Sequence, residues 1–227
     1  MILVAAGLKR EARILQGSAV QVVAGGGDRA RLARALEDAA GRASAVISMG
    51  LCGALADDLR PGDWVIASRI LSAERELEPD RDWTTSLAER LPGARAGPIL
   101  GSDVMIADAA AKRSVCAATG ALAVDMESHI AAAVAARHGL PFAAARVVSD
   151  AADRSLPKAA QAGMAADGSM DIGAVLIALA ADPRQLAALI RVGREAEKAF
   201  RALGRGRDLL GPRLGRADLG ELPLHMV

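Results

Sequence analysis

Apolar and polar positions along the chain follow two alternating periods, and this alternation predicts an α/β protein. Continuous apolar runs at Ile2 to Ala6, Ala19 to Ala24 and Ala45 to Met49 are typical of buried strands. Between the second run and the third, Asp28 to Ala40 places Arg and Glu on one side and Ala and Leu on the other, which predicts an amphipathic helix. Strands that alternate with helices favour a sheet covered by helices on both faces.

The apolar run from Pro141 to Val148 is typical of a central parallel strand, because helices cover both faces of such a strand. Ser149 and Asp150 follow it directly. We therefore expect both side chains at the carboxyl end of the strand, where open α/β sheets bind ligands. The Ala-rich segment before this strand, Asp125 to His138, predicts a helix that ends at Gly139.

The remaining segments are predicted in less detail. Arg69 to Trp83 is rich in charge, which indicates a loop at the mouth of a site or at a subunit contact. Leu156 to Gly168 is interpreted as a lid segment. Helices are expected from Asp171 to Ala180 and from Pro183 to Leu203, since a proline suits the first position of a helix.

The length and charge of the chain narrow the choice of partners. A chain of 227 residues fits one large domain, which we assign to residues 1–204, with residues 205–227 as an irregular tail rich in Gly and Arg. The balance of 28 basic and 27 acidic residues offers no electrostatic surface for nucleic acid. Two Phe, two Trp and no Tyr leave few platforms for base stacking, so a small-molecule partner is expected.

Cysteine and histidine usage points to a reduced compartment and to chemistry without a metal. Cys52 and Cys116 are too few for a disulfide framework, and the three histidines show no metal-ligand spacing. The apolar amino terminus lacks a charged leader and soon meets Lys9, Arg10 and Glu11, unlike a signal peptide or a membrane span. We therefore expect a cytoplasmic protein with no integral membrane span.

Four stretches resemble the nucleoside phosphorylase and nucleosidase superfamily, in that family's order along the chain. They are ILVAAGLKREARIL, VISMGLCGALADDLRPGDWV, LGSDVMI and AVDMESHIAAAVAARHGLPFAAARVVSDAAD. The resemblance implies a single-domain, three-layer α/β/α fold with a central mixed, mostly parallel, twisted sheet. It also implies an enzyme that cleaves the N-glycosidic bond of a purine nucleoside and forms a homodimer or a larger homo-oligomer. No cofactor is implied, with phosphate the one co-substrate to consider.

The resemblance assigns the role of general acid to Asp150, with Ser149 or a nearby backbone group orienting it. Such an acid is needed because the departing base is a poor anion. We expect an apolar cleft at this strand end, since burial there would keep a carboxyl protonated near neutral pH. Without the resemblance, Asp150 would be interpreted as the cap of the following turn.

The triplet Asp125-Met126-Glu127, at the start of the helix predicted from Asp125 to His138, is assigned to the ribose. Glu127 matches the family glutamate that accepts hydrogen bonds from the sugar hydroxyls, and a carboxylate can accept from two vicinal hydroxyls at once. Met126 matches the methionine that packs on the sugar. The alternative is that Asp125 and Glu127 only complement the helix dipole.

Glu11 matches the glutamate with which the nucleosidases polarise the attacking water, where the phosphorylases have an arginine. Its alternative is a surface carboxylate among basic neighbours.

Gly50 belongs to the second glycine-rich loop and is assigned to substrate binding. Leu51 departs from the phosphate-binding residues expected there, so water is favoured over phosphate. A phosphate site would need compensation by Arg10, Arg13, Arg29 or a neighbouring subunit.

Two further segments are assigned to substrate binding by the resemblance. Gly25 belongs to a glycine turn that lines the sugar pocket; a dinucleotide loop is the alternative, but the spacing is wrong and Asp28 would repel an anion. Met105 and Ile106 align with the stretch that meets the base. Met105 replaces the phenylalanine that stacks on the purine in the family, which indicates a looser pocket.

The segment DAADRSLPK and the absent stacking aromatic most resemble the branch called hopanoid-associated phosphorylases, which are linked to removal of adenine from adenosylhopane. Leu156, Met164 and Met170 would give the site an apolar mouth for a lipid at C5'. The alternatives are a 5'-methylthioadenosine or S-adenosylhomocysteine nucleosidase, a futalosine-type hydrolase and a non-catalytic nucleoside sensor. A dinucleotide-dependent oxidoreductase is disfavoured by the defective glycine pattern.

Overall fold

The computed structural model describes residues 1–162 and 171–217, and within them eight strands form one mixed sheet. The strands are β1 Ile2–Ala6, β2 Val20–Ala24, β3 Ala45–Ala54, β4 Trp64–Leu71, β5 Glu76–Leu77, β6 Arg95–Gly101, β7 Ala123–Asp125 and β8 Phe142–Asp150. Parallel pairs join β1 to β2 and β3, β3 to β8, and β6 to β4 and β7, while β3 with β7 and β4 with both β5 and β8 are antiparallel. The predicted mixed, mostly parallel sheet is confirmed.

Part of this sheet closes on itself. β8 pairs with β3 on one side and with β4 on the other, while β7 and β6 connect β3 to β4 by the opposite route. β1 and β2 extend the sheet outward from β3. Because β3 contacts β1, β7 and β8, residues near its carboxyl end have neighbours on every side within the sheet.

Helices cover both faces of the sheet, as the sequence predicts. They are α1 Lys9–Leu15, α2 Arg29–Ala40, α3 Arg81–Arg90, α4 Ala109–Thr119, α5 Ser128–Arg137, α6 Lys158–Ala162, α7 Ile172–Ala181 and α8 Leu186–Leu210, with a 3-10 turn at Pro183–Gln185. One apolar cluster joins α2 and α5 to the sheet through Leu36 and Val134, and the other joins α3 and α8 through Leu87 and Leu203. Aspartates at the starts of α2, α3, α4 and α7 accept hydrogen bonds from first-turn backbone N–H groups.

Several boundaries differ from the sequence prediction. β3 continues from Met49 to Ala54, so Gly50 lies within a strand rather than a loop. The charged segment expected to be a loop carries the end of β4, all of β5 and the start of α3. α3 forms because Trp83 and Leu87, four residues apart, are buried on one side of it while its charged residues stay exposed.

The carboxyl-terminal region is more ordered than an irregular tail. α8 ends at Leu210, so the first residues beyond 204 are helical. The turn that follows is anchored to α3, because Trp83 Nε1 donates to the Leu214 carbonyl at 2.8 Å and Ser86 Oγ to the Gly215 carbonyl at 2.6 Å. Most of the remaining tail, the end of the proposed lid, Met164 and Met170 lie outside the described residues.

Among the described residues, no helix taken singly has the length and apolar character needed to cross a membrane; α7 and residues 183–210 reach that threshold only as a pair, bent by 117°.

Candidate active site

Glu11 is buried in the first turn of α1 and held by three backbone N–H groups. Its Oε2 accepts from Gly7 at 2.7 Å and from Leu8 at 2.8 Å, and its Oε1 accepts from Leu51 at 2.9 Å. The side chain is only 2% exposed. The interpretation of Glu11 as a surface carboxylate is therefore wrong: the loop after β1 and the middle of β3 enclose it.

Arg146, in the middle of β8, is the cation around which the acidic side chains gather. It is fully buried, with Nε 3.0 Å from Asp125 Oδ2 and Nη1 3.2 Å from Glu127 Oε2. Its Nη2 donates to Ser48 Oγ, and its Nη1 donates to the Leu51 carbonyl at 3.3 Å. One guanidinium thus connects β3 and β8 to the start of α5.

Asp125 fixes the start of α5 rather than facing open space. Its Oδ1 accepts from the backbone N–H groups of Glu127 at 2.9 Å and Ser128 at 2.7 Å, and its Oδ2 accepts from the Ser128 hydroxyl. The Glu127 side chain makes no cap hydrogen bond at the start of α5. The adjoining side chain, Met126, lines a small cavity with Glu127, Gly25, Gly27 and Arg29.

Two glycines leave room for the buried glutamates. A Cβ at Gly7 would lie 2.9 Å from Glu127 Oε1 and 3.4 Å from Glu11 Oε2, so the two carboxyls lie close together beside Gly7. A Cβ at Gly50 would lie 2.8 Å from the carboxyl carbon of Glu11 and 3.0 Å from Arg146 Nη1. Gly50 therefore permits the close approach of Glu11 and Arg146.

Burial dominates the electrostatics of the two glutamates. It raises the pKa of Glu11 against the opposing charge of Arg146. It raises the pKa of Glu127 to about 7; Arg146 lowers that pKa, and the nearby Asp125 and Glu11 carboxyls raise it further. Burial by itself would lower the pKa of Arg146. The surrounding carboxyls outweigh that effect, and the pKa is raised. The cluster therefore holds carboxyls that exchange protons closer to neutral pH than an exposed glutamate does.

Asp150 is the last residue of β8, 7% exposed, and paired with a cation. Its Oδ2 accepts from the ammonium of Lys112, which comes from α4 and is fully buried. Its Oδ1 lies 2.6 Å from Ser149 Oγ, which is also 3.0 Å from the Cys52 carbonyl and can donate to either oxygen. The expectation of purely apolar surroundings for Asp150 is wrong, because a buried ammonium contacts the carboxylate.

The sheet places Asp150 and the Arg146 cluster on one edge of β3. In the pairing of β3 with β8, Gly50 lies opposite Arg146 and Gly53 lies opposite Asp150. In the pairing of β3 with β7, Gly53 lies opposite Val124. The carboxyl-terminal ends of β3 and β8 therefore bring the candidate acid and the candidate ribose-binding segment to the same end of the sheet.

The segment assigned to the base adjoins the residues that follow Asp150. Met105 and Ile106 are half-buried between β6 and α4. The next residue, Ala107, accepts a hydrogen bond from Leu156 N at 2.8 Å, and Ser155 Oγ accepts from Ala109 N at 2.9 Å. The loop after β8 is thus tied to the loop before α4, and the assignment of Met105 and Ile106 to the base stays a prediction.

Comparison with known protein families agrees with this geometry. Residues 19–181 match the model described as the phosphorylase superfamily. The chain belongs to this superfamily. The predicted recognition is confirmed at that level, and with it the prediction of an enzyme from a superfamily that cleaves N-glycosidic bonds. No curated protein matches the chain.

Solved structures of other members share the fold at low sequence identity. The 5'-methylthioadenosine/S-adenosylhomocysteine nucleosidase of Helicobacter pylori with butyl-thio-DADMe-Immucillin-A is 13% identical, with 90% of this chain and 96% of that chain covered at a TM-score of 0.61. The Streptococcus pneumoniae MTA/SAH nucleosidase with 8-aminoadenine is 20% identical, with 89% and 97% covered at a TM-score of 0.60. The futalosine hydrolase of Helicobacter pylori strain 26695 is 16% identical, with 66% and 87% covered at 0.58.

The sequence analysis did not predict two residues of the candidate site, Arg146 and Lys112. Arg146 is the one charged residue in the strand PFAAARVV, and a buried charge needs a partner. That rule could have pointed to the acidic triplet. Lys112 gave no such signal, because a lysine in AAAKRSV is typical of the solvent face of a helix. Among the described residues, no group of three His, Cys, Asp or Glu side chains could hold a metal ion.

Proposed function

We propose that the protein cleaves the N-glycosidic bond of an adenine nucleoside and releases the base. The observation that carries this proposal is the pair of buried carboxyls, Glu11 and Glu127, which lie close together beside Gly7. Asp150 ends the strand that runs past them. A carboxyl for the water, a second for the ribose and a third for the base are the three groups that such a cleavage needs.

Each carboxyl has a separate task in the proposed reaction. Glu127 accepts hydrogen bonds from the ribose hydroxyls and holds the sugar. Glu11 removes a proton from a water molecule, which attacks C1' on the face opposite the base. As the bond between C1' and the base nitrogen breaks, its electron pair stays with the base. The acidic group at Asp150 supplies the proton that lets the base leave uncharged.

Water fits the site better than phosphate does. Asp125, Glu127 and Glu11 surround Arg146, so this cation is already neutralised by carboxyls that would repel a phosphate. Two of the three arginines that could compensate pair with acidic side chains elsewhere. Arg10 pairs with Glu197 at 2.7 Å, and Arg29 pairs with Asp103 at 2.5 Å. We therefore propose hydrolysis, with Glu11 as the general base.

The finer proposal is that the 5' substituent is a large apolar group, with adenosylhopane as the expected substrate. α7 consists of apolar residues and glycine only, and none of its residues is buried. It packs against α6, whose first residue, Lys158, lies eight positions after Asp150. An exposed apolar helix that packs against α6 supports a surface for a lipid tail. Assembly as a dimer or a larger homo-oligomer stays a prediction.

The alternative is a nucleosidase for a small nucleoside, as the names of the structural relatives describe for those proteins. An assay for free adenine with adenosine, 5'-methylthioadenosine and adenosylhopane, each with and without phosphate, distinguishes these candidate functions. We expect release without phosphate, fastest from adenosylhopane. Faster release from 5'-methylthioadenosine would favour the small-nucleoside alternative, and a strict need for phosphate would contradict hydrolysis. Binding without any release would favour the nucleoside sensor.

A further inference from the structure

Lys112 is fully buried and makes three hydrogen bonds, yet the three-carboxyl reaction gives it no task. Its Nζ donates to Asp150 Oδ2, to the Ala151 carbonyl at 3.0 Å and to the Arg154 carbonyl at 3.0 Å. An ammonium carries three N–H donors, so these three acceptors match the charged form of lysine. A buried lysine ammonium destabilises a folded protein unless an acidic group pairs with it, and Asp150 is the partner of Lys112.

The pairing raises a difficulty for an acid at this position. A carboxylate that accepts a hydrogen bond from an ammonium is in its charged form and has no proton of its own to give. The departing base still needs one. The nearest group that carries a transferable proton is the Lys112 ammonium, in direct contact with Asp150 Oδ2.

We propose that Lys112 and Asp150 act together as the acid, with Lys112 supplying the proton that Asp150 passes to the base. This inference rests on the proposed function. As the bond between C1' and N9 breaks, its electron pair remains on the base, a proton moves from Lys112 Nζ to the Asp150 carboxylate, and Asp150 passes this proton to N7. Lys112 is left as a neutral amine. It regains a proton from water after the base has left, while the proton that Glu11 took from the attacking water returns to solvent.

The geometry of the pair suits this transfer. Ser149 Oγ lies 2.6 Å from Oδ1 and Lys112 Nζ contacts Oδ2, so each carboxyl oxygen has a donor within hydrogen-bond distance. The carbonyls of Ala151 and Arg154 keep Nζ at its place when one proton moves, because a neutral amine still has two N–H groups for them. A purely structural Lys112 would only tie the loop after β8 to α4.

The test compares two leaving groups, because only one of them needs an acid. The substrates are 5'-methylthioadenosine, whose adenine must be protonated, and 4-nitrophenyl β-D-ribofuranoside, whose nitrophenolate leaves as a stable anion. The variants are Lys112→Met and Lys112→Gln; the glutamine keeps two N–H donors for the loop carbonyls but has no proton to transfer. Lys198→Met, at an exposed lysine of α8, is the matched control.

We expect both Lys112 variants to lose about 100-fold or more in kcat for adenine release, within the range of general acid catalysis. Their release of nitrophenolate should stay within about threefold of the wild type, since the ribose and water sites are intact. Adding Lys112→Gln to Asp150→Asn should reduce adenine release no further, because both residues serve one step. Thermal unfolding followed by circular dichroism identifies a variant that does not fold, and the other variant then carries the test.

Equal losses with both leaving groups, or undiminished adenine release in a folded variant, would overturn the role of Lys112 alone. A wild-type protein that releases nitrophenolate but no adenine from any nucleoside would instead overturn the proposed function, and this inference with it. The two failures are therefore distinguishable.

Discussion

At the scale of single residues, the site depends on charges that are buried at a cost to stability. Glu11 and Glu127 lie close together beside Gly7, and Asp125 also pairs with Arg146, so three carboxyls share one guanidinium. Burial raises the pKa of both glutamates, and the neighbouring carboxyls raise that of Glu127 further. The burial that costs stability therefore makes Glu11 a stronger base than an exposed glutamate.

Replacement of Glu127 by Gln separates these two effects. The pKa of Glu127 is raised from 4.5 to about 7 in the folded protein. The unfolded chain therefore loses this proton first, and the free energy of unfolding falls as the pH rises from about 4.5 to about 7. The loss is on the order of 3 kcal/mol at 1.4 kcal/mol for each pH unit. Glu127→Gln should thus unfold at a higher temperature than the wild type at pH 8, while the two should differ less at pH 5.

Scanning calorimetry at both pH values measures this difference, and the same variant should lose most of its turnover because the ribose loses its carboxylate. An equal stability gain at both pH values would show that the charge of Glu127 is not the cause. Glu37→Gln is the matched control, since Glu37 is on the surface and its pKa is lowered by hydrogen bonds from His138 and Arg137. Its stability gain at pH 8 should be absent or reversed.

The resemblance pointed to the motif residues, but the partners of those residues could not be read from the chain. Glu11, Glu127 and Asp150 lie in motifs, whereas Lys112 meets Asp150 only because α4 packs beside the end of β8. Lys112 and Asp150 are 38 positions apart in the sequence, so no local sequence pattern connects them. Hydrophobic periodicity reports which face of an element is buried, and it does not report which buried charge meets which.

At the scale of elements, β3 is the strand that contacts most of the site residues. Its residues Ser48, Gly50 and Leu51 contact Arg146 or Glu11, and Gly53 lies opposite Asp150. The sequence predicted the apolar first half of this strand and interpreted its second half as a glycine-rich loop. Glycines weaken the sequence pattern of a strand, so this half was predicted as a loop. Gly50 is nevertheless part of the strand, and its lack of a side chain leaves room for the Glu11 carboxyl.

The exposed helix α7 gives a prediction at this scale. Leu176 and Ile177 are 59% and 74% exposed, on a helix without a charged residue. If this surface holds the lipid part of the substrate, the double substitution Leu176→Ser and Ile177→Ser should reduce kcat/KM for adenosylhopane by about tenfold or more, since each apolar side chain buried contributes roughly 1.5–3 kcal/mol. The rate with 5'-methylthioadenosine should not change.

Leu209→Ser is the matched control for α7, because Leu209 is an exposed leucine, at 54%, near the far end of α8. Its rates with both substrates should equal those of the wild type. Losses of the same size for both substrates in the α7 variant would assign the helix to folding rather than to the lipid. An unchanged rate with adenosylhopane would remove the support that α7 gives to a lipid-linked substrate.

At the scale of the whole molecule, closure of the sheet explains how distant segments form one site. β8 joins β3 and β4, and β7 lies on the other side of β3, so residues from the first, second and third quarters of the chain meet at one end of the sheet. The α/β order of elements predicted the layers, because it depends on local periodicity. The closure could not be predicted, because it depends on long-range pairings that no local pattern specifies.

The most direct measurement is a single-turnover assay of adenine release by the wild type, Asp150→Asn and Glu11→Gln, together with calorimetric binding of the same nucleoside. The account predicts that both variants bind the nucleoside within about threefold of the wild type and release adenine about 100-fold or more slowly, since each lacks one proton-transfer group. Adenine release at the wild-type rate by either variant would contradict the claim that these two buried carboxyls perform the cleavage.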